Sequence, residues 1–70
     1  MEKAGKMIAD NIRAERNRKG FTQEQIAEML GLSTKTYIGY ERDAKNIKAG
    51  NLYKLATILG CRIDDFFIQR

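Results

Sequence analysis

The chain has no histidine, no proline and no tryptophan, and its only cysteine is Cys61. Each absence closes a route. One cysteine cannot form an intrachain disulfide, and without histidine it cannot build a typical structural zinc site. The cysteine has no histidine base beside it and no glycine-rich phosphate cradle is present, so neither enzyme chemistry nor a cofactor or metal is expected. Cys61 reads as a small core or half-buried residue rather than a redox centre. Glu24, Glu28, Asp64 and Asp65 read as helix-surface and first-turn charges. No apolar run approaches the roughly 20 residues needed to span a bilayer. The opening MEKAGKMIADNIR lacks the apolar core of a signal peptide, and a reduced, cytoplasmic setting is the expectation. No stretch alternates cleanly between apolar and polar residues, so strands are not expected.

What is present fits one small folded domain over residues 1–70. Apolar residues are 43% of the 70-residue chain and charged residues 31%, a balance typical of folded rather than disordered chains. A chain this short has a core worth roughly 3–5 kcal/mol of net stability. Net charge is +4 and uneven. Lys3, Lys6, Arg13, Arg16, Arg18 and Lys19 outnumber Glu2, Asp10 and Glu15 near the start. Lys45, Lys48 and Lys54 face Asp43 alone over residues 43–60. A polyanion partner fits this excess, as does a plain solvated basic surface.

Helical spacing recurs along the chain. Residues 1–5 read as a loose end. Ile8 and Ile12 lie four apart, and Gly20 closes their segment after the basic turn of Arg16, Arg18 and Lys19, where cations suit the negative end of a helix dipole. Thr22 and Gln25 form a capping box for a second helix with Ile26, Ala27 and Leu30 inward. Ser33 caps a third helix running past Tyr37 and Tyr40, both read as apolar anchors, to about Arg42. Residues 43–49 form a polar connection. Leu52, Leu55, Ala56 and Leu59 mark a fourth helix that Gly60 ends. Cys61 and Ile63 lead into a last turn with Asp64 and Asp65 at its start. Phe66 and Phe67 are expected in the core, with Ile68 left open.

Residues 23–42, QEQIAEMLGLSTKTYIGYER, are the most telling stretch. Ala27 is small enough for a close helix crossing, and Gly31 stands where the chain needs a left-handed residue. Ile26, Leu30, Leu32, Tyr37 and Tyr40 supply apolar faces on either side. This is the layout of a helix-turn-helix whose second helix enters the major groove of DNA. The fold class expected is all-α: a compact five-helix domain with the motif formed by helices 2 and 3.

From about Ile8 to Phe67 the chain resembles the lambda-repressor-like helix-turn-helix domains, the Cro and phage-repressor or XRE-like type. The matching elements are IRAER, RKGFTQEQIAEMLGLS, the glutamate of YER, NLYKLATILG and IDDFF. The resemblance implies a double-stranded DNA-binding regulator, a repressor of phage or mobile-element type, bacterial or phage-encoded. It also implies a homodimer on an inverted repeat, with helices 4 and 5 (Ile68 and neighbours) as interface. Antitoxins and controllers of restriction-modification genes belong to the same type. An antitoxin or protein-interaction module using the same helical bundle is therefore the alternative, and a protein antagonist is a further possible partner of the regulator.

Thr34, Lys35, Thr36 and Ile38 are the expected base contacts. Lys35 suits guanine O6 or N7, and the threonines suit base edges or a thymine methyl. In the family, positions matching Thr34, Lys35 and Gly39 face the bases, but Gly39 has no side chain with which to read them. Thr22, Gln23, Ser33, Arg42, Lys45, Asn46 and Lys48 are the expected phosphate contacts, which position a protein without reading sequence. Gln23 is expected to donate to phosphate while accepting from the start of helix 3. Arg16 and Glu41 match an arginine–glutamate pair that links helix 1 to helix 3. Asp43 departs from a common glycine after helix 3, and Ile47 with Ala49 and Gly50 replaces a common proline and a larger apolar residue.

Overall fold

The computed structural model describes residues 2–69. It contains four α-helices, α1 (Glu2–Lys19), α2 (Gln23–Leu30), α3 (Thr34–Arg42) and α4 (Ala49–Leu59), and a 3-10 turn at Ile63–Phe67. No strand occurs among the described residues. The all-helical expectation therefore stands, but its count of five short helices is corrected. The last element is a five-residue 3-10 segment, too short to develop an α-helical ladder, and α1 is long at 18 residues.

Residues 2–5, expected to be loose, form the first turn of α1; Met1 lies outside the described residues. The Gly5 carbonyl accepts the Ala44 amide at 3.0 Å. A Cβ on Gly5 would collide with Asp43 Oδ1 and stand 2.9 Å from the Lys45 backbone nitrogen. The first turn of α1 is thus seated on the loop between α3 and α4.

The caps form where the side chains predict them. Thr22 Oγ1 accepts the Gln25 amide at 3.1 Å while Gln25 Oε1 accepts the Thr22 amide at 2.8 Å. Ser33 Oγ accepts the Thr36 amide at 3.1 Å. Gly31 is left-handed, with φ of 72°, and turns the chain from α2 toward α3. Asp43 ends α3 in extended conformation, with φ of −160°. No glycine is needed there, because the chain leaves without entering the left-handed region. Asp43 Oδ1 instead accepts the Lys45 amide at 3.0 Å and shapes the loop.

The core gathers Ala9 and Ile12 of α1, Ile26, Ala27 and Leu30 of α2, Tyr37 of α3, Leu55, Ala56 and Leu59 of α4, and Ala44 and Phe66 outside the α-helices. Burying each large apolar side chain stabilises the fold by about 1.5–3 kcal/mol. Phe66 is fully buried but Phe67 is 48% exposed, which corrects the expectation of two core phenylalanines. Adjacent residues of a short helical turn point about 100–120° apart, so one of them faces solvent. Asn11 is also buried, and its side-chain amide donates to the Phe66 carbonyl at 2.9 Å and the Ile68 carbonyl at 2.7 Å. This polar clamp holds the C-terminal turn against α1.

Candidate nucleic-acid interface

The site begins with what holds α3 in place. Arg16 Nε donates to Glu41 Oε2 at 2.5 Å and Arg16 Nη2 to Glu41 Oε1 at 3.1 Å. This bidentate pair joins α1 to α3, with side-chain exposures of only 12% and 3%. The Tyr37 hydroxyl donates to Glu41 Oε2 and Gln23 Nε2 donates to Glu41 Oε1 at 3.1 Å, so α2 joins the same carboxylate. Arg16 Nη1 also donates to the Phe21 carbonyl at 2.8 Å, tying the α1–α2 turn to the cluster. Arg13 Nη1 donates to the Glu41 carbonyl at 3.1 Å, satisfying an otherwise unpaired acceptor in the last turn of α3.

Burial pushes the Glu41 carboxyl up, but hydrogen bonds from Arg16, Tyr37 and Gln23 outweigh it and hold the group below its ordinary value. The bond to Glu41 raises Arg16 further. Burial, then the bond to Glu41, pushes the Tyr37 hydroxyl up, so Tyr37 is a donor throughout the physiological range. The chemistry of this cluster is positional. It presents no exposed reactive group, and it fixes the angle of α3.

Sequence reasoning misses two of these participants, the Tyr37 hydroxyl and Arg13, as well as Asn11 of the C-terminal clamp. The Tyr37 hydroxyl was legible in principle, since Tyr37 and Glu41 are four apart and share a helix face. Nothing in the sequence marks Arg13 or Asn11. Gln23 differs from expectation: its amide reaches Glu41 near the end of α3, not the start of that helix.

On the outer side of α3, Thr34 and Ile38 are half-buried and Lys35, Gly39 and Arg42 exposed. At about 100° per residue these five share one face. Thr36 lies to one side, next to Tyr40, and its hydroxyl accepts from Ser33 Oγ at 2.9 Å. Thr22 and Ser33 are exposed and engaged in capping; Gln23 is half-buried. Lys45, Asn46 and Lys48 are exposed on the loop after α3. Among the described residues, the Lys35, Arg42, Lys45 and Lys48 side chains enter no ion pair. The arrangement is therefore a polar helix face with unpaired cations on it and just beyond it, braced from behind by a buried ionic cluster.

Comparisons with known proteins agree with this architecture. A helix-turn-helix family model matches residues 12–66. Control protein C.SmaI of Serratia marcescens is 40% identical over 58 residues, covering 81% of this chain and 68% of its own length. An HTH-type transcriptional regulator of Archaeoglobus fulgidus, itself uncharacterised, is 35% identical over 57 residues, 81% of each chain. Among solved structures, the restriction-modification controller protein C.AhdI of Aeromonas hydrophila superposes with a TM-score of 0.80 at 32% identity, covering 89% of this chain and 94% of that one.

Proposed function

The chain belongs to the helix-turn-helix family, and from that premise we propose that it is a sequence-specific, double-stranded DNA-binding transcriptional regulator. It reads the major groove with α3 and acts as a homodimeric repressor on an inverted-repeat operator in the cytoplasm. Likeness to C.SmaI and C.AhdI favours a controller of restriction-modification genes. The observation that carries the reading is the outer face of α3: Thr34, Lys35, Ile38 and Arg42 presented on a helix whose buried side is locked through Glu41.

In this reading Thr34, Lys35 and Ile38 meet base edges, with Thr36 at the margin because its hydroxyl also serves the Ser33 cap. Arg42, Lys45, Asn46 and Lys48 meet phosphates, as do Thr22 and Ser33 at the helix starts. Gln23 spends one amide hydrogen on Glu41 and has a second for phosphate. A single recognition helix covers little surface, and two copies bound to half-sites about 34 Å apart multiply affinity and specificity. Phe67 and Ile68, each 48% exposed, and the 65% exposed Tyr53 of α4 supply apolar surface for that pairing.

The test is selection from random duplex DNA at about 0.15 M salt, where the Debye length is about 8 Å. An enriched inverted repeat with half-sites one helical turn apart is the expected outcome. On that duplex Lys35→Ala should lose roughly 1–3 kcal/mol of specific binding. Equal loss on every sequence would reassign Lys35 to phosphate. Absence of any enrichment would reject DNA reading and favour a protein-binding module.

A further inference from the structure

Six glycines occur in the chain, and four have a reason inside the fold. Gly20, Gly31 and Gly60 adopt positive φ, and Gly5 has no room for a Cβ. Gly50 stands in the first turn of α4, where amides have no intrahelical partner and helix propensity counts least. Gly39 is different. It lies in the interior of α3, is exposed, and is absent from the positive-φ residues. Its carbonyl accepts the Asp43 amide at 3.0 Å as a helical residue does. A Cβ built on it meets nothing within 4 Å.

Alanine would therefore fit at position 39 and would favour the helix, because glycine loses more backbone freedom on folding. Among the described residues, nothing gains from the missing side chain. The neighbours show where a gain would lie. Lys35 is one turn before Gly39 and Arg42 nearly one turn after it, so a notch of bare backbone separates two exposed, unpaired cations, beside the half-buried Ile38. Flanking cations suit a polyanion, and bare backbone permits an approach that a side chain would prevent.

We propose that Gly39 is a close-approach position, where the backbone of α3 itself comes against the base-pair edges of duplex DNA while Lys35 and Arg42 straddle the contact. This rests on the reading of α3 as the groove-facing helix, and it makes Gly39 a specificity-determining residue by virtue of what it lacks. A base-reading side chain at this position would hold the helix further out.

The experiment uses the duplex enriched by the wild-type chain as its probe and compares wild type, Gly39→Ala and Gly39→Leu for melting temperature and affinity. Gly39→Ala should melt higher by about 2–8 °C and bind the probe about tenfold more weakly or worse, with Gly39→Leu weaker again. Gly39→Ala binding as tightly as wild type would overturn the close approach while leaving DNA reading intact. A lower melting temperature for Gly39→Ala would also overturn it, since the fold would then account for the glycine. Failure of the wild-type chain to enrich any duplex would remove the DNA reading and this inference together.

Discussion

Arg16, Tyr37 and Gln23 converge on the Glu41 carboxylate while Arg13 holds the Glu41 carbonyl. Removing one member of a buried pair leaves the other charge uncompensated, which costs about 3–5 kcal/mol. Glu41→Ala should therefore lower the melting temperature by more than ~10 °C, read by circular dichroism, whereas the exposed Lys35→Ala should leave it unchanged. An unaltered melting temperature in Glu41→Ala would exclude the cluster as a brace for α3. The arginine–glutamate partnership was legible in the sequence because its two members match a family pattern. The roles of Arg13 and the Tyr37 hydroxyl were not, because each depends on which way a helix face turns once α1 and α3 have packed.

Between elements, the unexpected contact is the first turn of α1 against the α3–α4 loop. Gly5 offers bare backbone, Ala44 donates to its carbonyl, and Asp43 folds the loop by accepting the Lys45 amide. Gly5→Ala improves helix propensity yet overpacks this junction, and overpacking costs about 1–3 kcal/mol. A lower thermal midpoint for Gly5→Ala is the expected result; an equal or higher one would mean that the loop yields without strain. The same junction shows why local pattern was a poor guide at the N-terminus. A glycine near the start of a polar stretch reads as looseness, and only a distant partner, Ala44, turns it into a docking point. Helix caps behave oppositely. Thr22 with Gln25, and Ser33, act within three residues, so their geometry was readable before any packing was known.

For the molecule as a whole, acidity is the condition that tests the brace globally. The folded chain holds the Glu41 carboxyl below its ordinary value of 4.5, so it binds that proton less readily than the unfolded chain does. The ionised cluster thus contributes stability that is fully present well above pH 4.5 and is lost as pH falls through that value toward the lower folded one. Thermal midpoints should be nearly level from pH 8 to 6 and decline below about pH 5. Glu41→Gln, less stable at neutral pH, should decline less steeply. Parallel acid limbs for the two proteins would assign the acid sensitivity to other carboxylates.

The helical class, the caps, the tight turn at Gly31 and the helix-turn-helix spacing were already written in the order of the residues. Those signals act over a few residues or as a periodicity along one element, where backbone sterics and side-chain reach suffice. Tertiary structure decided what depends on distant pieces meeting. It buried Phe66 and exposed Phe67, seated Gly5 on the loop, turned Gln23 toward Glu41, and fastened the C-terminal turn through Asn11. It also decided the standing of Gly39, because whether a missing side chain serves the fold depends on whether another part of the chain occupies the space beside it, and among the described residues none does.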